Sequence, residues 1–152
     1  MDDVTVLVVE DMPVIQALVS RTVRQLLPSS RVITANNGEE GFLRANMVRP
    51  ELIITGLVMP HMNGYEMVRL LRQEKIGKVT LIIGLSGDDP HSPLTRAFRA
   101  ACDDFLAKPF APRELQAKVK KVLDLKRSSL TTGPAPGYDD LNGEANFNDI
   151  GS

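Results

Sequence analysis

The chain has 152 residues, enough for one domain with a buried core. Its 18 basic residues face 19 acidic ones, a balance that gives no reason to expect a nucleic-acid or membrane surface. No apolar run approaches the roughly 20 residues of a spanning helix. Met1-Asp2-Asp3 lacks the basic and apolar regions of a secretory signal. A lone cysteine, Cys102, leaves neither a disulfide framework nor a cysteine metal site, so a reduced, cytoplasmic setting is expected.

The first stretch, Val4–Val9, is almost continuously apolar and β-branched, which predicts a strand buried on both faces of a parallel sheet. It stops at Glu10-Asp11. Pro13 suits a first helical turn, and Ile15, Leu18, Val19, Thr22, Val23 and Leu26 then recur at helical spacing. Pro28-Ser29-Ser30 ends that helix, and Arg31–Ala35 is a short second strand. Asn36-Asn37-Gly38 turns the chain into a helix over Glu39–Met47, and Leu52–Thr55 follows as the third strand. A loop over Gly56–Asn63 leads to a helix near Tyr65–Gln73, then a strand over Val79–Leu85. Helix Pro93–Ala101, strand Asp104–Ala107 and an amphipathic helix Pro112–Lys126 complete the alternation.

Strands alternating with helices predict an α/β fold with a parallel sheet, right-handed crossovers and helices on both faces. In such sheets a site lies at the carboxyl ends of the strands. Beyond Arg127 the composition turns to Gly, Pro, Ser, Asn and Asp, so residues 1–127 read as the domain and 128–152 as a flexible tail or linker. Within it, Tyr138, Leu141, Phe147 and Ile150 are candidates for local docking.

Four groups are delivered to the predicted rim. The first strand brings Glu10-Asp11, the third Gly56 and the loop Leu57–Gly64, the fourth Ser86-Gly87, and the fifth Lys108-Pro109. Carboxylates hold hard cations such as Mg²⁺, while hydroxyl and ammonium groups bind phosphoryl oxygens. Each piece alone has a plain reading. The acid pair could serve a helix N-terminus, and Ser86-Gly87 an ordinary turn. Asp88-Asp89-Pro90 reads as an exposed loop capping the next helix, His61 as solvated, and Cys102 as a small packed hydrophobe.

In this order and spacing, Val8-Val9-Glu10-Asp11, Leu52–Gly64 with its Met59-Pro60, Leu85-Ser86-Gly87 and Asp103–Phe110 resemble the receiver domains of two-component response regulators. The resemblance covers about Val4 to Lys126. It implies the flavodoxin-like fold of the chemotaxis regulator, with five parallel strands in the order 2-1-3-4-5. It also implies Glu10, Asp11 and the Val58 carbonyl as Mg²⁺ ligands, Ser86 and Phe105 as switch residues, Lys108 as the phosphoryl-binding lysine and a cis Lys108–Pro109 bond. Phe105 has a plain alternative as core packing. The partner implied is a histidine kinase or another signalling protein. The stretch Pro93–Lys126, with Lys118 and Lys121, would form the dimer or partner surface, and a solvated face is the alternative.

The sequence departs from the family at one place. Gly56 stands where the pattern carries the phospho-accepting Asp, which is both nucleophile and metal ligand. Glycine can do neither, and Thr55 should point away from the pocket and lacks a base to activate it. Lys108 is then left with Glu10 and Asp11 as anionic partners, and Mg²⁺ binding should weaken. The expected function is a non-enzymatic receiver that works by protein interaction without phosphorylation. The alternative is an ordinary phosphoryl-accepting receiver carrying an introduced Asp-to-Gly change.

Overall fold

The buried run at the start of the chain forms the first strand of a five-stranded parallel sheet, β1 (Thr5–Val9). In chain order it is followed by α1 (Pro13–Leu26), β2 (Arg31–Ala35), α2 (Gly38–Val48), β3 (Leu52–Gly56) and α3 (Gly64–Arg72). A 3-10 turn over Ile76–Lys78 leads to β4 (Leu81–Ser86), α4 (Pro93–Ala101), β5 (Asp104–Ala107) and α5 (Pro112–Thr132). The computed structural model describes residues 3–132, with side chains as far as Lys126. Residues up to Lys120 make up the unit that holds the sheet, and α5 continues beyond it. No helix among the described residues is long and apolar enough to cross a membrane.

The strands lie in the order β2-β1-β3-β4-β5, all parallel. Stepping outward from the first strand in both directions places the switch of direction between β1 and β3, the crevice where such sheets carry their sites. Val6, Leu7, Val8 and Val9 in β1, Leu52, Ile53 and Ile54 in β3, and Ile82 and Ile83 in β4 are all fully buried. Burial on both faces explains why these strands read as continuous apolar runs. Around Leu7, Val9 and Ile53, the α3 residues Met67, Val68 and Leu71 and the α4 residue Phe98 fill one face of the core.

Side-chain caps fix where the helices begin. Asn37 accepts the Glu40 N–H at the start of α2. Asn63 and Glu66 form a reciprocal capping box on α3, and Ser92 caps α4 by accepting from Thr95 N–H. The acids Asp88 and Asp89 therefore do not cap α4, contrary to expectation. Asp89 accepts from His91 N–H instead, at 2.9 Å.

Two boundaries move by more than one residue. β4 begins at Leu81 rather than Val79, since Val79 is 65% exposed at the end of the 3-10 turn. Helix α5 runs through Thr132, so residues 128–132, expected in the tail, are helical. The remaining tail, with Tyr138, Leu141, Phe147 and Ile150, lies outside the described residues.

Candidate functional site

The sheet register brings the rim together. Val9 pairs with Thr55, Gly56 with Leu85, and Ser86 with Ala107, so Glu10, Gly56, Ser86 and Lys108 all stand at the same ends of adjacent strands. The loop after β3 is held close. Gly64 N–H donates to the Leu57 carbonyl at 2.7 Å. A side chain on Gly64 would run into the Gly56 carbonyl, so only glycine lets α3 start this near the strand end.

Glu10 turns inward. Its side chain is 1% exposed, and its Oε1 accepts from Lys108 Nζ at 3.0 Å, forming an ion pair across the rim. Burial pushes the Glu10 carboxyl above its ordinary value, opposed by the hydrogen bond and charge of Lys108 and by the Met12 backbone N–H. This inward turn is unlike the plain reading of the acid pair. Helix α1 begins at Pro13 behind Met12, with no side-chain cap and no acid in its first turn.

Gly56 and Glu10 are in intimate contact. A Cβ built on Gly56 would stand 2.6 Å from Glu10 Oε1 and 3.2 Å from its carboxyl carbon. The carboxylate therefore fills the volume that a residue-56 side chain would enter. Sequence reasoning named Glu10 as one of two anionic partners for Lys108.

The other predicted residues are placed as follows. Ser86 is buried, with its Oγ accepting from Asp88 N–H at 3.1 Å, and the Lys108–Pro109 bond is cis. Asp11 and Val58 are exposed, Val58 by 62%. Thr55 is fully buried and donates to the Gly56 carbonyl at 2.8 Å, so its hydroxyl is committed to the backbone. Phe105 is half-buried, edge-on to Phe98 with centroids 6.1 Å apart and with the Arg99 guanidinium 5.2 Å over its ring. Exposed His61 sits in the loop with a left-handed backbone, φ 68°. The Cys102 thiol, pushed up to about 12 by burial, packs against the core near Phe98 and Gly84.

Lys118 is committed inside the domain: its Nζ donates to Asp104 Oδ1 at 3.0 Å. Lys121 is exposed. Among the described residues no three His, Cys, Asp or Glu side chains stand close enough to hold a metal ion. Of the ligands expected for Mg²⁺, Glu10 has its Oε1 engaged by Lys108, while Asp11 and Val58 are exposed.

Residues 6–120 match the family model of the response regulator receiver domain. The KDP operon transcriptional regulatory protein KdpE of Escherichia coli is 38% identical over 133 residues, covering 86% of this chain and 55% of its own length. The chain thus spans about half the length of that relative. The hybrid signal transduction histidine kinase D of Dictyostelium discoideum is 32% identical over 81% of this chain and 8% of its own length.

Among solved structures, the chemotaxis response regulator CheY4 of Vibrio cholerae superimposes with a TM-score of 0.71. It is 30% identical and covers 80% of this chain and 99% of its own. The receiver domain of a Pseudomonas aeruginosa sensor histidine kinase, solved with a magnesium ion in its active-site cleft, gives 0.71 at 28% identity, covering 79% of this chain and 97% of its own. The chain belongs to the response regulator receiver domain family, with the flavodoxin-like fold of the chemotaxis regulators.

Proposed function

We propose that this receiver domain lacks the phospho-accepting carboxylate, Gly56 standing in its place, and acts as a non-enzymatic protein-interaction module without aspartyl phosphorylation. The contact between Glu10 and Gly56 carries this reading: the volume expected to hold the acceptor is filled by a carboxylate already paired with Lys108. Two neighbouring candidates for a surrogate nucleophile are blocked. Thr55 is buried on a backbone carbonyl, and Glu10 is closed off from solvent. The partner is a histidine kinase or another signalling protein, and Ser86 and Phe105 keep the family's places without a phosphoryl group to move them.

Association is expected to use exposed positions of the Pro93–Lys126 stretch, with homodimerisation one form of it. Since Lys118 is tied to Asp104, Lys121→Glu is the cleaner probe there. Sedimentation across a concentration series tests this. Association should weaken in Lys121→Glu and stay unchanged when acetyl phosphate and Mg²⁺ are added. Association that strengthens with acetyl phosphate would contradict the reading.

Mg²⁺ binding is expected to be weaker than millimolar. A charge pair at about 4 Å and an effective dielectric near 20 is worth about 4 kcal/mol before desolvation, so a site short of carboxylates loses orders of magnitude in affinity. Isothermal calorimetry showing sub-millimolar binding would remove this expectation.

A further inference from the structure

Resting on the reading of Gly56 as the acceptor's place, we infer that Glu10 is a positioning residue that supplies, from the end of β1, the carboxylate Lys108 would otherwise meet at the end of β3. Glycine at 56 and glutamate at 10 then work as a pair: the first vacates a volume and the second fills it.

Three observations converge. Glu10 Oε1 stands 2.6 Å from where a residue-56 Cβ would be, closer than real Cβ contacts come, so a side chain at 56 would displace the glutamate's end from its present place. The same oxygen takes the Lys108 ammonium at 3.0 Å, with the glutamate 1% exposed and the lysine 22%. The carboxylate's natural local employment, capping α1, is declined, since Met12 precedes a helix with no acid in its first turn. A carboxylate withdrawn from water is tolerated when a cation and hydrogen bonds meet it, and Lys108 and the Met12 N–H do so here. Glycine leaves this arrangement undisturbed, whereas a side chain at 56 requires the end of the glutamate to shift.

The consequence is a pocket held in one arrangement by an internal ion pair rather than by a switchable ligand. Lys108 is anchored across the rim whether or not a phosphoryl donor is present. Such a chain presents a constant surface to its partner. An effector can shift it only by binding differently to the paired and unpaired forms.

Substitution at the two positions has a signature that ordinary packing does not produce: the sign of one change depends on the other. Thermal unfolding in EDTA, without a phosphoryl donor, is measured on the full chain and on Gly56→Asp, Glu10→Gln and the double variant, with circular dichroism confirming the fold. Glu10→Gln is expected to lower Tm by roughly 5 °C. Gly56→Asp is expected to lower Tm when Glu10 is present, by crowding two carboxylates. In the Glu10→Gln background the same change is expected to raise Tm, by returning a carboxylate to Lys108.

A second background guards against a merely structural loss. In Lys108→Met the cation is gone, so Glu10→Gln is expected to raise Tm by removing an unpaired buried acid. Gly56→Asp shifting Tm equally with and without the Glu10→Gln change, or Glu10→Gln lowering Tm equally with and without Lys108, would overturn the inference. Because no phosphoryl donor is present, these outcomes stand apart from the phosphorylation reading. That reading fails separately, on a phosphoryl adduct of the glycine chain.

Discussion

Phe98→Ala is expected to cost about 3–5 kcal/mol of folding stability, the range for emptying a buried aromatic site. Phe98 is fully buried in α4 and serves the core from several directions at once. Its ring edge meets Phe105, and its far side fills the space over Gly84, where an added Cβ would stand 2.7 Å from the ring. Gly84 lies in the middle of β4, one residue before the Leu85 that pairs with Gly56. Removing the ring therefore loosens the strand that carries Ser86 to the rim as well as emptying a cavity. Urea unfolding with an unchanged m-value would read the loss directly. A cost under about 1 kcal/mol would mean that the surrounding side chains collapse into the space.

Arg72→Ala is expected to cost about 2–4 kcal/mol, because one guanidinium satisfies four separate acceptors. Its Nη1 donates to the carbonyls of Gly77 at 2.6 Å and Thr80 at 3.2 Å. Its Nη2 donates to the Ala101 carbonyl and to Asp103 Oδ2, each at 3.1 Å. Asp103 in turn accepts the Ile82 N–H at 2.8 Å, so the cluster ties α3, the 3-10 turn, β4 and the end of α4 together. As a surface ion pair, Arg72–Asp103 would be worth little. The cost lies in the backbone carbonyls left without a donor. Arg72→Lys should recover only part of it, since a single ammonium cannot reproduce the planar fork. Full recovery in the lysine variant, by the same urea measurement, would show that charge alone suffices.

The fold was legible because its determinants are local. Apolar runs located β1, β3 and β4, and α4 and β5 have the expected bounds. Where the reading slipped, a tertiary contact decided. The run Val79-Thr80-Leu81 looks like strand throughout, but Thr80 donates its hydroxyl to the Pro50 carbonyl and Val79 faces outward beside a 3-10 turn. Ser128-Ser129 looked like an end to α5, yet serine is only mildly unfavourable inside a helix.

The site was legible as an inventory rather than as an arrangement. Register placed Glu10, Gly56, Ser86 and Lys108 on one rim as spacing implied. Which of Glu10 and Asp11 meets Lys108 depends on side-chain direction, which adjacent residues in one turn do not reveal. Likewise Lys118 reads as one more surface lysine until the fold brings Asp104 within 3.0 Å. Arg72 and Asp103 are far apart in sequence, and nothing local marks them as partners.

The most direct test of phosphorylation-independent function is the intact mass of the chain after incubation with acetyl phosphate and Mg²⁺, run beside Gly56→Asp. The chain itself is expected to keep its mass, and any adduct should form only on the Asp variant. A stable phosphoryl adduct on the glycine chain, resistant to acid and labile to base, would contradict the account by showing that another residue accepts phosphate.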